Sequence, residues 1–224
     1  GIGSAGRVRA MPRFIDLSAP IVASPPDTPD PLKTEIVFQG HEAGAATIEA
    51  LLGVGRELLR DGEGWAVEEF TRLGTHNTTH VDAPWHYNST IAGEKAATID
   101  ELPLEWFHAP GVVLDFSHKA DGDPVTVPEI DDALAVLDRD IQPLDIVLIR
   151  TGRDAFLDAP DYMIKGPGVT AEATRRLYEL GTRVMGIDAW GWDAPLHMQA
   201  EAAKAKGEPG VFWAARQCDL GADA

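Results

Sequence analysis

Residues 143–152, with the sequence PLDIVLIRTG, give the clearest strand signal in the chain. Four consecutive apolar residues follow Asp145 and end before Arg150, and a short apolar run between polar residues is typical of a buried strand. The Thr151-Gly152 pair that follows has the composition of a loop. The stretch therefore predicts a core strand, and the elements on either side of it indicate the fold.

Strand and helix patterns alternate around this strand in the second half of the chain. Residues 111–116 and 183–188 predict strands, and residues 128–137 predict an amphipathic helix that begins with a proline and acidic side chains. Thr170 predicts the N-cap of a further helix that ends at Gly181. Alternating strands and helices are typical of α/β folds.

The first half of the chain does not show this alternation. Residues 35–38 and 66–73 predict strands, and residues 41–52 predict an alanine-rich helix that Gly53 ends. We therefore expect an α/β fold with a mixed sheet, in a single domain of residues 11–224, rather than a doubly wound sheet.

Composition and charge narrow the classes of partner. The chain has 224 residues, 44% of them hydrophobic, and a formal net charge of −17, which disfavours binding to nucleic acid or to an anionic membrane surface. The single cysteine, Cys218, excludes an internal disulfide framework. No apolar run reaches transmembrane length. The sequence therefore predicts a cytoplasmic protein. Residues 1–10 contain arginines but no apolar segment, so we expect a flexible leader before Met11 rather than a secretory signal.

A second stretch, residues 76–86 with the sequence HNTTHVDAPWH, holds three of the chain's seven histidines. Its threonines and valine favour an extended backbone, and Pro84 opposes a helix. In an extended chain His76, His80 and Asp82 share one face. An ideal strand would nevertheless separate His76 from His80 by about 13 Å, so the chain must bend between them before both can bind one ion.

Two imidazoles and one carboxylate form an open ligand set for a divalent ion. Zn²⁺, Mn²⁺ or Fe²⁺ fits such a set, with positions left for water and substrate. Gly74 and Asn77 are the residues whose backbone could absorb the required bend. A single His-x-x-x-His pair often arises by chance, but here an aspartate follows, then a proline and His86. The pattern indicates metal binding, and His86 could serve as a base or as a further ligand.

The histidine stretch resembles the His-x-Gly-Thr-His-x-Asp-x-Pro-x-His motif of the cyclase family, which includes bacterial kynurenine formamidase and isatin hydrolase. Thr78 stands where that motif has its glycine. The resemblance extends to residues 143–152, 167–170 and 186–190. It implies a swivelling β/β/α fold, a homo-oligomer such as a dimer or tetramer, and a Mn²⁺ or Zn²⁺ cofactor.

The resemblance also implies roles for individual residues. His76, His80 and Asp82 would be the metal ligands, and His86 would be the catalytic or second-metal histidine. Near the C-terminus the family carries a Trp-Glu-x-His segment and then a glutamate, whereas this chain has Arg216 in place of that histidine. We therefore expect a single ion, an atypical or truncated C-terminal end, and an Arg216 side chain that could hold a substrate carboxylate.

These residues suit hydrolysis of an amide, lactam or ester bond in a small aromatic substrate. A divalent ion lowers the pKa of its bound water and polarises a carbonyl, and a nearby histidine can transfer protons. The sequence has no Gly-x-Ser-x-Gly elbow for a covalent serine mechanism. Trp85 and Phe38 are candidates to line the substrate pocket. A lyase or cyclase that stabilises an enolate, and a metal-binding protein without turnover, are the open alternatives.

Overall fold

The computed structural model describes residues 13–217, which divide into two compact units between Val81 and Asp82. The predicted leader, the predicted start and Cys218 lie outside the described residues. No helix in the described range is both long and apolar enough to cross a membrane. Five α-helices and seven strands lie in that range: α1 His41–Leu52, α2 Pro84–Tyr87, α3 Val127–Ala135, α4 Ala171–Glu179, α5 Leu196–Lys206, β1 Glu35–Gln39, β2 Val67–Arg72, β3 Thr90–Ile91, β4 Glu94–Lys95, β5 Gly111–Asp115, β6 Ile146–Arg150 and β7 Met185–Ile187.

The described part of the first unit contains an antiparallel strand pair and one α-helix. β1 pairs with β2, with Phe38 in register with Glu68. The α1 helix ends at Gly53, whose φ of 68° is a left-handed conformation that glycine adopts without a steric penalty. A Cβ on Gly44 would lie 1.8 Å from the carbonyl oxygen of Trp65. Glycine at position 44 therefore allows α1 to contact the backbone before β2.

The second unit contains a parallel three-stranded sheet in the order β5-β6-β7. Its central strand, β6, is the core strand that residues 143–152 predict. α3 connects β5 to β6 and α4 connects β6 to β7, because parallel strands need long crossover connections. Beyond the sheet, the Asp188 carboxylate accepts hydrogen bonds from the backbone N–H groups of Thr151 and Gly152, both at 2.7 Å. These bonds join the loops that follow β6 and β7.

The hydrophobic core of the second unit lies between this sheet and its helices. The strands contribute Leu114, Val147 and Ile149 to this core. The helices α3 and α4 contribute Ile130 and Leu177. Each of these five side chains is at most 1% exposed. The short apolar runs and the amphipathic helices therefore bury the faces that their patterns predict.

Capping groups set the starts of both crossover helices. The Glu129 carboxylate accepts a hydrogen bond from the Thr126 N–H at 2.9 Å, within a capping box that opens α3. The Thr170 hydroxyl oxygen accepts one from the Ala173 N–H at 3.1 Å and opens α4, as the sequence predicts. The α/β class with a mixed arrangement of strands is confirmed, while the domain limits of 11 and 224 stay a prediction.

Truncation of a core leucine tests this arrangement. Leu177 is fully buried and Leu104 is 82% exposed. We expect Leu177→Ala to lower the free energy of unfolding by about 2–5 kcal/mol, because it removes packed methyl groups and leaves a cavity. Leu104→Ala is the matched control and should change it by no more than about 0.5 kcal/mol. Urea unfolding measures both, and equal losses would contradict the assignment of the core.

Candidate metal centre

The backbone bends between His76 and His80, and Asn77 holds the bend. The side-chain amide of Asn77 donates to the backbone carbonyl of Lys33 and to the hydroxyl oxygen of Thr34, both at 3.0 Å. These contacts fix Asn77 to the segment before β1. The bend between the two histidines, which the sequence requires for a shared ion, is therefore present.

Residues 75–79 form a turn and a bend, and residues 76–82 contain no strand, so the extended preference of the threonines does not produce a strand here. The Asn77 N–H donates to the Gly74 carbonyl at 3.2 Å, and local hydrogen bonds of this kind compete with extended structure. The Thr78 hydroxyl donates to the Ala19 carbonyl at 3.2 Å. The threonine that stands at the glycine position of the motif therefore makes a tertiary hydrogen bond.

The turn brings three potential ligands together. One ligand atom each from His76, His80 and Asp82 lie within 4.8 Å of one another. Nδ1 of His76 lies 3.0 Å from Nε2 of His80, with the two rings nearly perpendicular at 84°. Ligand atoms bound to one tetrahedral ion at about 2.0–2.1 Å lie roughly 3.3 Å apart. The three residues therefore fit a divalent ion after small side-chain shifts.

A backbone contact assigns the donor and acceptor nitrogens of His80. Its Nδ1 hydrogen-bonds to the Thr78 carbonyl, and because a carbonyl oxygen can only accept, Nδ1 carries the proton. The lone pair of neutral His80 is therefore on Nε2, the nitrogen that faces His76. Metal-binding histidines usually donate the N–H of their second ring nitrogen to a carbonyl or carboxylate in this way. The chemistry of the donor set thus also fits a metal ligand.

The expectation that Pro84 opposes a helix is wrong. Pro84 is the first residue of the short helix α2, where a missing N–H costs nothing because the first turn has no acceptor for it. The helix carries His86, whose ring centroid lies 5.2 Å from that of Tyr87 and 5.8 Å from that of Trp213. His86 is partly buried. The predicted acid/base residue therefore packs against two aromatic rings.

Tyr87 is a site residue that the sequence analysis did not identify. Its hydroxyl hydrogen-bonds to the Asp82 side chain. Burial raises the pKa of Tyr87, and the charge of Asp82 raises it further against the opposing effect of Arg216. The phenol therefore stays protonated and donates to the carboxylate, which can still bind an ion through its remaining lone pairs. Only the short helix brings this hydroxyl back to Asp82, so no periodic pattern could have indicated it.

The segment that ends the described range packs on α2. The guanidinium carbon of Arg216 lies 5.9 Å from the centre of the Tyr87 ring, and the Gln217 amide donates to the Tyr87 carbonyl at 2.8 Å. Arg216 also pairs with Asp193, with 3.4 Å between Nε and Oδ2. Burial raises the pKa of Asp193. Arg216 therefore lies beside the residue that orients Asp82.

The two aromatic residues predicted to bind substrate are exposed. Trp85 is 50% exposed on α2, with the Lys95 ammonium 5.9 Å from the centre of its ring. Phe38 is 69% exposed on β1. Exposed aromatic side chains are available to a ligand. Their role in substrate binding stays a prediction.

Comparisons with known proteins support the resemblance seen in the sequence. The family model described as "Putative cyclase" matches residues 15–194 of the chain. The isatin hydrolase A of Labrenzia aggregata, solved with benzyl benzoate, has a similar fold, with a TM-score of 0.54 and 22% identity over 93% of this chain and 73% of that one.

Two further solved structures are similar. An isatin hydrolase bound to the product analogue thioisatinate has a TM-score of 0.59 and 22% identity, over 90% of this chain and 71% of that one. A potential metal-dependent hydrolase with cyclase activity has a TM-score of 0.51 and 24% identity, over 86% and 77%. At these identities the similarity shows the fold, and it confirms the fold class predicted from the resemblance.

Removal of the Tyr87 hydroxyl tests its role beside Asp82. We expect Tyr87→Phe to weaken Zn²⁺ or Mn²⁺ binding by about 10- to 100-fold, because residues that orient a ligand contribute on that scale. Competition with a chromophoric chelator measures the dissociation constant. The matched control is Tyr178→Phe, which removes another buried tyrosine hydroxyl, on α4, and should leave the constant within about twofold of the wild type. Equal affinities of Tyr87→Phe and the wild type would contradict the role.

Proposed function

The chain belongs to the cyclase family, and on that basis we propose that it is a metal-dependent hydrolase of amide, lactam or ester bonds in a small aromatic substrate. The observation that carries the proposal is the cluster of His76, His80 and Asp82, whose ligand atoms lie within 4.8 Å of one another. Two imidazoles and a carboxylate leave positions for water and substrate on Mn²⁺ or Zn²⁺. When bound, such an ion supplies Lewis acidity and an activated water.

His86 is the proposed acid and base of the reaction. It accepts a proton from the attacking water and returns it to the nitrogen or oxygen of the leaving group. Its position on α2 supports this role, because the helix also carries Tyr87, the hydrogen-bond partner of Asp82. The Tyr87 and Trp213 rings both contact the His86 ring and limit the orientations of the imidazole. An imidazole can both accept and donate a proton, as the two transfers require.

The proposed substrate is aromatic because exposed aromatic side chains are the candidates to bind it. Trp85 on α2 and Phe38 on β1 would contact the rings of the substrate. Isatin hydrolases are among the structural neighbours, and one of them is bound to thioisatinate, which makes isatin a suitable first compound to test. N-formylkynurenine, small lactams and aryl esters extend the test to the other bond types.

The proposal includes assembly of the chain into a dimer or tetramer in the cytoplasm. Large apolar side chains of the first unit are exposed, and exposed apolar surface of this kind is typical of association sites. They include Val37, Phe38, Leu51, Leu52 and Phe70, each at least 45% exposed. Light scattering of the purified protein measures the assembly.

Turnover before and after removal of the ion tests the proposed activity. Chelation should abolish hydrolysis of at least one of these compounds, and Mn²⁺ or Zn²⁺ should restore it, because the ion activates the water. The product should gain one water by mass spectrometry. A product of unchanged mass would instead support the cyclase or lyase, and bound metal without any turnover would support the binding protein.

Substitution of His86 separates proton transfer from metal binding. We expect His86→Ala to retain the ion and to lower kcat by about 10²- to 10⁴-fold, as removal of a general acid or base does. The control is His118→Ala, which removes an exposed imidazole that contacts Phe116. Unchanged turnover at neutral pH would exclude the role of His86, and loss of the ion would make it a ligand.

A further inference from the structure

Residues 213–217 form a segment that packs on the helix carrying the proposed acid/base residue. The centroid of the Trp213 ring lies 5.8 Å from that of the His86 ring. The guanidinium carbon of Arg216 lies 5.9 Å from the centre of the Tyr87 ring. The 213–217 segment therefore contacts both the imidazole proposed for proton transfer and the tyrosine that orients a metal ligand.

A buried carboxylate holds this segment in place. Asp193 is only 8% exposed, and its Oδ1 accepts a hydrogen bond from the Ala215 N–H at 2.8 Å. Its Oδ2 lies 3.4 Å from Nε of Arg216, in an ion pair of two largely buried side chains. The guanidinium that the sequence suggests for a substrate carboxylate therefore pairs with a carboxylate of the chain itself. A Cβ on Gly191 would lie 3.1 Å from Nη2 of Arg216, so glycine leaves room for this pair.

The backbone of Trp213 is held in a left-handed conformation. Its φ is +62°, which is uncommon for a bulky residue. The Trp213 N–H donates to the Gln199 side chain at 2.8 Å, and the buried Gln199 amide on α5 donates in turn to the Ala194 carbonyl. Strained residues persist where surrounding contacts hold them, and they are concentrated at functional sites. The strain therefore indicates a function for the orientation of the indole that contacts His86.

Stability alone does not explain the buried ion pair. Removal of two charges from water costs free energy that their attraction often does not recover, and well-packed apolar residues commonly stabilise a protein as well or better. The geometry that the pair fixes is therefore the better explanation for it. Here the pair fixes a segment whose Trp213 and Arg216 side chains contact neighbouring residues of α2.

We propose that Asp193 is a positioning residue for the metal centre and for its acid and base. It fixes residues 213–217, and this segment limits the movement of His86 and Tyr87 on α2. Because the Tyr87 hydroxyl hydrogen-bonds to Asp82, a displacement of the segment changes how this carboxylate meets an ion. The effect on turnover rests on the proposed function, whereas the effect on the surroundings of the imidazole does not.

Nuclear magnetic resonance of the histidine rings, recorded in the presence of Zn²⁺, tests the contact without any need for turnover. The His86 signal is assigned by its loss in His86→Ala, and nearby aromatic rings shift such signals. Asp193→Asn should move the His86 signal, because it releases the segment that holds the Trp213 ring. The signal of His118, which contacts Phe116, should stay in place. An unmoved His86 signal in folded Asp193→Asn would overturn the proposal.

The matched control is Asp145→Asn. Asp145 is 2% exposed, accepts a hydrogen bond from the Gln142 N–H at 2.8 Å and pairs with Arg139, so it makes the same two kinds of contact as Asp193. It directly precedes β6 and therefore lies at the amino-terminal edge of the parallel sheet. Its replacement should leave the His86 signal and kcat unchanged. Equal shifts of the signal in the two variants would assign the effect to a general loss of stability and overturn the proposal.

Metal affinity in a double variant tests the action through Tyr87. Asp193→Asn should weaken Zn²⁺ binding by about threefold or more, because residues within one network of contacts are coupled on that scale. In Tyr87→Phe, which lacks the hydroxyl that contacts Asp82, the same change should have a smaller effect. Equal weakening in both backgrounds would overturn the proposed action of Asp193 on the metal ligand.

Kinetics and a second variant complete the test. For any compound that the wild type hydrolyses, Asp193→Asn should lower kcat by about tenfold or more and change KM little, because a small displacement of a catalytic group can cost that much. If Asp193→Asn does not fold, Gln199→Ala, which releases the Trp213 N–H, should move the His86 signal instead. A moved signal with unchanged kcat would overturn the role in turnover. A moved signal in a protein whose wild type hydrolyses no compound would support the positioning role and overturn the proposed hydrolase.

Discussion

The candidate metal centre depends on the hydrogen bonds that the Asn77 side chain makes to Lys33 and Thr34. Without a bend, four residues of extended chain would hold His76 and His80 about 13 Å apart. With the bend, their facing nitrogens are 3.0 Å apart. Asn77 is suited to this position because its short side chain can reach backbone groups and compete with regular structure. The ligand set therefore results from a turn, although the residues around it have strong preferences for strands.

Two more contacts fix the ligands after the turn has formed. The Thr78 carbonyl determines which nitrogen of His80 carries the proton, and the Tyr87 hydroxyl holds the Asp82 carboxylate. Both act on residues that would contact an ion, and contacts of this kind commonly affect metal affinity as much as the choice of ligand does. Arg216 and Gln217 contact Tyr87 in turn. A change near the end of the described chain can therefore affect the geometry of the metal ligands.

Much of the second unit was predictable because its signals are local. The apolar run of β6 identifies the central strand, and Thr170 identifies the start of α4 by the capping chemistry of a single residue. The candidate ligands were also predictable, since they lie within seven residues of each other. The bend between His76 and His80 was also expected, but the contacts that hold it were not, because Asn77 bonds to Lys33 and Thr34, which lie 44 and 43 residues away along the chain. The pairing of Arg216 with Asp193 was not predictable for the same reason, since 23 residues separate the two.

The central claim is that His76, His80 and Asp82 together bind one divalent ion. Anomalous diffraction from crystals of the metal-loaded protein, recorded on both sides of the zinc or manganese absorption edge, locates the ion directly. The account predicts a single anomalous peak about 2.0–2.2 Å from a nitrogen of each histidine and an oxygen of the aspartate. A second peak of equal height, or a peak bonded to other residues, would contradict it.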